Sequence, residues 1–270
     1  MAHVGNMSQI KALIERHGAD VNLADSSGFT ALHMAAQHGD LPLCRYLIAA
    51  GADLFPRAAH GLVPLHLAAR AGQDKVIRLF AASEGFYRED LDIRTYDGLS
   101  CLHFAARGGR LDVTTLLLRE TTRTESLTEV DINGVTSEGR TPLMLAADAG
   151  HEECVRLLLS EGSDTLVTSV EGYTALHLAS VRGHDGVVSV IASHPGVLVD
   201  AVANGGVTSL HLVASEGHFE VGEVLLLHGA MPDLQDELGN TPADVAYLAG
   251  WGQFAEVLSR ACGYLGSKGP

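Results

Sequence analysis

The chain has 270 residues and a net charge of −15, from 18 Lys and Arg against 33 Asp and Glu. That surplus of carboxylates repels the phosphate backbone of nucleic acid and an anionic membrane surface, whereas a basic protein segment is accommodated easily. Aromatic content of 5% against hydrophobic content of 46% suits thin layers of Leu, Ala and Val rather than one large aromatic core.

One hexamer, Thr174-Ala175-Leu176-His177-Leu178-Ala179, recurs through the chain, with near-copies beginning at Thr30, Val63, Ser100, Thr141, Thr208 and Thr241. The steps between them are 33, 37, 41, 33, 34 and 33 residues, a period that marks a repeat array. Residues 1–24 are an incomplete N-terminal repeat: Gly5 aligns with Gly39, and Met7 to His17 is expected to be a second helix with Ile10, Leu13 and Ile14 poorly covered. Such a beginning is expected of a fragment or of a mobile N-terminal cap. Units follow at 25–57, at 58–94 with an insertion and at 95–135 with a longer one, then at 136–168, 169–202 and 203–235. Residues 236–262 form a C-terminal capping repeat, in which Asp244 stands at the His position and Trp251 follows Gly250; 263–270 are expected to be a flexible tail.

Within each unit the elements follow from residue chemistry. A Thr or Ser before Pro or a small residue caps a helix start. About eight residues on, a Gly (Gly39, Gly72, Gly109, Gly150, Gly183, Gly217) ends that helix in the left-handed conformation. A second helix follows, with apolar residues three and four apart as in Leu43-Cys44-Arg45-Tyr46-Leu47-Ile48. Before each hexamer a short turn ends in Gly, as in Asp25-Ser26-Ser27-Gly28 and Thr95-Tyr96-Asp97-Gly98. The extra residues, near 84–90 and 121–126, fall after a second helix and before the next turn; Phe86 and Tyr87 favour a contact role for the first.

These elements resemble the ankyrin repeat, on the Thr-Pro-Leu-His-like helix start, the Gly-His turns (Gly150-His151, Gly183-His184, Gly217-His218) and the Gly-Ala-Asp exits (Gly18-Ala19-Asp20, Gly51-Ala52-Asp53). The resemblance covers nearly the whole length and implies an all-α repeat solenoid, an ankyrin-type stack of helix-turn-helix units with β-turn fingers. It further implies that His33, His66, His103, His177 and His211 tie each helix start to the neighbouring finger, and that His151, His184 and His218 stabilise their turns. Stacked histidines cannot share a zinc ion, because adjacent helices lie about 8–10 Å apart and both nitrogens would need to lie about 2 Å from the metal.

Cys44, Cys101, Cys154 and Cys262 are dispersed without a Cys-x-x-Cys pair, so neither a zinc site nor a disulfide framework is expected. No nucleophile elbow, phosphate-cradling loop or metalloprotease motif is present. The expectation is a non-enzymatic module, without cofactor or metal, that binds a partner protein along the concave face and fingers as an adaptor or scaffold. The alternatives are a regulatory subunit or effector that modulates a catalytic partner, and the recognition domain of a larger protein. A monomer in the cytoplasm or nucleus is expected, with a basic or extended protein segment as partner and with neither nucleic acid nor membrane. Candidate contact residues are those the repeat does not need for its own core: Phe29, His60, Leu62, Arg70, Tyr96, Leu99, Arg107, Arg140, Asp148, Tyr173 and Arg182, with Phe29, Tyr96, Arg107, Arg140 and Tyr173 as anchors. Phe29, Leu62 and Leu99 have a competing role in packing between fingers. Asn22 and Asn133 sit where the resemblance implies hydroxylation by an asparaginyl hydroxylase, although Asn also suits a turn on its own account.

Overall fold

The computed structural model describes residues 7–119 and 130–266. Fifteen α-helices appear among them, with no strand, only the isolated bridges Ala24–Thr30 and Val202–Thr208. Two compact units are separated at residues 137 and 138. The first holds α1 (Met7–His17), α2 (Ala31–His38), α3 (Leu41–Ala49), α4 (Pro64–Ala71), α5 (Asp74–Ala81), α6 (Cys101–Arg107) and α7 (Leu111–Arg119). The second holds α8 (Pro142–Asp148), α9 (Glu152–Ser160), α10 (Ala175–Val181), α11 (Asp185–Ala192), α12 (Ser209–Glu216), α13 (Phe219–Leu227), α14 (Pro242–Leu248) and α15 (Gly252–Gly266).

First helices stack on first helices and second on second, α2 on α4 on α6 in one unit and α8 on α10 on α12 on α14 in the other. The hexamer explains this. Its Leu (Leu32, Leu65, Leu102, Leu143, Leu176, Leu210) and the small residue four positions later (Ala36, Ala69, Ala106, Ala147, Ser180, Ala214) are all essentially buried. The small side chain lets the next helix approach, and each buried Leu contributes about 1.5–3 kcal/mol. The expected helix-ending glycines Gly39, Gly72, Gly109, Gly150, Gly183 and Gly217 all have φ between 64° and 82°.

At the two ends the pattern weakens. Helix α1 has the bounds expected from sequence but buries no residue, and Leu13 is exposed. Helix α15 runs on to Gly266, so the start of the stretch 263–270 is helical rather than irregular. Buried Phe254, Ala255 and Leu258 anchor its first turns, and once a helix is nucleated each further residue is inexpensive to add. Residues 1–5, the longer insertion near 121–126 and the last four residues lie outside the described residues.

Candidate functional site

The repeated histidines hold the fingers in place. Each Nδ1 accepts the backbone N–H of the residue that starts its helix: Thr30 to His33 at 3.0 Å, and Val63 to His66, Ser100 to His103, Thr174 to His177 and Thr208 to His211 at 3.2 Å. With Nδ1 as acceptor, the neutral ring carries its proton on Nε2 and donates it to the following unit. The acceptors are the carbonyls of Leu62 (3.2 Å), Val207 (3.3 Å) and Asn240 (3.1 Å), each just after a finger Gly, for His33, His177 and His211. His66 donates instead to Ile93 (2.8 Å), in the stretch leading into its finger. Burial pushes the His66 and His177 pKa values down to about 4 and lowers that of His33. His33, His66 and His177 are therefore structural pins, neutral at physiological pH.

Helix capping at Thr30 and Ser100 differs from the plain hydroxyl cap that Thr174 and Thr208 also supply. The Thr30 and Ser100 hydroxyls turn to Nδ1 (3.1 and 2.9 Å), and the ring takes the role that Glu or Gln plays in a capping box. Asp244 does the same with a carboxylate, accepting the Thr241 N–H at 2.9 Å and its hydroxyl at 2.6 Å; these two bonds hold its pKa down.

The histidines after the turn glycines reach further than their own turn. His184 Nε2 lies 3.2 Å from the Asp148 carbonyl and His218 Nε2 3.1 Å from that of Val181, both at the end of the preceding first helix. Arg110 and Trp251, at the same register, make the equivalent bonds to the carbonyls of Arg70 (3.0 Å) and Ser215 (3.2 Å). This position pins unit to unit through several chemistries, and its role was not legible from the Gly-His pair.

Fingers are joined by one backbone bond per step, for example Tyr96 N–H to His60 O (3.0 Å), Val170 N–H to Glu138 O (3.0 Å) and Asn204 N–H to Glu171 O (3.1 Å). Their tips are exposed. Tyr96 is 72% exposed, with the Arg57 guanidinium 5.8 Å from its ring centroid and the ring lying against Gly61. His60 is exposed and, among the described residues, is the one non-glycine with positive φ (60°). Arg70 and Arg107, on α4 and α6, are exposed; Leu62 and Leu99 are half-buried. Phe29 is half-buried with its ring edge-on to His33 at 5.3 Å.

In the second unit the candidates converge. Arg140 pairs with Glu138 (3.2 Å) and with Asp148 (4.0 Å), and Asp148 also takes Arg182 Nε at 2.8 Å. The hydrogen bond and charge of Asp148 raise the Arg182 pKa. Tyr173 stacks on His177 with centroids 5.7 Å apart and is half-buried. Four charged side chains thus form one row from a finger to the ends of α8 and α10.

The first insertion folds back. Phe86 packs on Phe55 at 5.8 Å, and Tyr87 is left 66% exposed. Arg94, a residue the sequence did not single out, binds Asp92 (3.0 Å), Asp131 (3.4 Å) and the Val135 carbonyl (3.3 Å), while Arg57 donates to the Arg94 carbonyl (3.0 Å). The only sequence signal for these arginines is their shared position before a finger. Asn22 has both ends of its carboxamide engaged with the next exit loop, accepting from Asp53 N–H at 2.8 Å and donating to Gly51 O at 3.4 Å. Asp200 does the same work for Met231 N–H (3.0 Å), so the position is a turn pin that other residues also fill. Asn133 takes its N–H to Asp131 (3.1 Å).

No group of three or more potential metal ligands occurs among the described residues, and no helix there is long and apolar enough to cross a membrane. Cys44, Cys101 and Cys154 are buried, and burial raises the Cys44 and Cys101 thiols, the former to about 12.

Neighbouring helix pairs, glycine-ended fingers and histidine pins define the class as a helical repeat stack. Family models described as ankyrin repeats match residues 1–87, 122–204 and 162–236, and a further one matches 65–118. The chain belongs to the ankyrin-repeat family. It is similar to the B-cell lymphoma 3 protein homolog of Mus musculus (29% identical over 181 residues, 67% of this chain and 39% of that protein). It is also similar to transient receptor potential cation channel subfamily A member 1 of Homo sapiens (31%, 66% of this chain and 16% of that protein). The nuclear factor NF-kappa-B p105 subunit of Gallus gallus is 30% identical over 63% of this chain and 17% of that protein. The chain therefore spans well under half the length of these relatives.

Proposed function

We propose that this chain is a non-enzymatic adaptor or scaffold that binds a partner protein through its finger tips and first-helix ends. Ankyrin repeats are a protein-interaction fold, and the observation that carries the reading is how the histidine-bearing units divide their polar groups. The histidines are spent inward as neutral pins, whereas Tyr96, Arg70 and Arg182 stand outward at positions the core does not need. Buried neutral rings bonded to backbone supply no convergent acid, base and nucleophile. The surface of the second unit is centred on Tyr173 and the Glu138–Arg140–Asp148–Arg182 row. Residues 138–270 hold 17 acidic and 5 basic side chains, net −12, against −3 for residues 1–137. That asymmetry favours a basic or extended protein segment over nucleic acid or a membrane. The p105 relative is by its description a subunit, which favours regulation of a larger assembly as the second reading.

The test is capture of partners from the native cell on immobilised protein, followed by titration of the partner so identified. A Tyr173→Ala, Arg140→Ala double variant with an unchanged helical spectrum should bind at least about tenfold more weakly, as expected for two anchors. Unaltered affinity would displace this centre.

A further inference from the structure

The outer face of the last repeat departs from the six units before it at the positions that make stacking possible. Where the others carry a buried Leu, it has half-buried Ala243. Where they carry a fully buried Ala or Ser, it has Tyr247, 74% exposed. A phenol ring at that position occupies the space into which a following first helix would come. The third change is electrostatic. His33, His177 and His211 present an Nε2–H donor to a carbonyl of the next finger; Asp244 keeps the bonds to Thr241 but offers only acceptor oxygens beyond them. A finger carbonyl set against a carboxylate is repelled, so the surface calls for a donor.

This face is not flat. A groove of about 560 Å³ runs between α14 and α15, lined by Ala243, Asp244, Tyr247, Ala255, Glu256 and Arg260 among others. Its charged groups are two carboxylates and one guanidinium, and Arg260 is already committed to Glu256 at 3.3 Å on an exposed rim. That leaves Asp244 as the uncompensated charge, beside an exposed aromatic ring and small side chains that suit the aliphatic stem of a long cation.

We propose that this end groove docks an arginine or lysine presented by an extended segment of a partner protein, with the cation on Asp244 and its stem along Tyr247. The inference rests on the reading of the chain as an interaction module but uses a surface apart from the fingers. The probe is the peptide acetyl-Gly-Gly-Arg-Gly-Arg-Gly-Gly-amide, titrated into the full 15N-labelled chain at low salt, with its Glu-for-Arg counterpart as control. Saturable shifts confined to amides of residues 241–260, absent with the Glu peptide and weakened at high salt, are expected. Asp244→Asn should weaken binding about tenfold. Tyr247→Ala should weaken it several-fold and fold normally, because Ala is the residue of most other repeats there. Equal binding of both peptides, no binding, or an Asp244→Asn variant that binds as well as the parent would each overturn the proposal. Concentration-dependent self-association through these residues would also overturn it, the occupant then being a second copy. Shifts at Glu138, Glu171 or Tyr173 alone would remove the groove while leaving the finger surface of the proposed function standing.

Discussion

His66 and His177 show how one side chain fixes both a helix start and its neighbour. Each is fully buried, with Nδ1 accepting and Nε2 donating, so protonation removes the Nδ1 acceptor and places a charge among apolar side chains. Their folded pKa values of about 4 lie below the usual 6.5, so between these limits the unfolded chain binds more protons than the folded one. Stability from these rings is complete above about pH 6.5 and is lost as pH falls towards 4, at most about 3 kcal/mol for each ring. The expected outcome is a denaturant midpoint that declines steadily from pH 7 to pH 4.5. A His177→Gln variant should show a shallower decline from a lower starting stability, and parallel slopes would mean that this ring does not titrate in the window. The resemblance to ankyrin repeats implied a structural role for these histidines; the tautomer came only from seeing both partners.

At the scale of elements, the turn between the two helices of a unit is where neighbours lock together. Gly183 has φ 76°, and a Cβ there would stand 2.8 Å from the His218 ring. Gly162, with φ 93°, has nothing within 4 Å. Gly162→Ala should therefore cost only backbone strain, about 1 kcal/mol, whereas Gly183→Ala should cost that and the displacement of the pin, about 2–4 kcal/mol in all. Thermal or denaturant melts of the two variants separate the contributions. If the two costs are equal, His218 swings aside freely and its bond to Val181 O adds little. The positive φ of these glycines was legible from their place after each helix. The approaching side chain was not, because it comes from the next unit and is Gln, Arg, His or Trp according to the repeat.

For the molecule as a whole, charge is unevenly distributed, with −12 of the −15 in residues 138–270. Self-repulsion of this kind destabilises a compact state and is relieved by salt. Trp251, the single tryptophan, lies in that unit over Gly217 and reports on it. Raising NaCl from about 0.02 M to about 0.5 M shortens the screening length from about 20 Å to about 4 Å. The thermal midpoint followed by Trp251 fluorescence should rise by a few degrees. A fall would mean that the ion pairs of Arg140 and Arg182, with the half-buried Asp148 between them, outweigh the repulsion.

The family and the helix pairs were determined by sequence, because each depends on local chemistry repeated at near-constant spacing, and the resemblance carried by those repeats implied the inward role of the histidines. Contact with the neighbour was decided only by tertiary structure. Phe86 turned onto Phe55 and Asn22 onto the following exit loop, while Arg140 and Asp148, eight residues apart, joined Arg182 in one row. Tyr247 could be aligned with the small residues of the other units from the start; that they are fully buried and it is exposed appeared only in the fold. The reason is physical: a helix start is settled by bonds spanning three or four residues, whereas what covers a side chain depends on which repeat, if any, is laid against it.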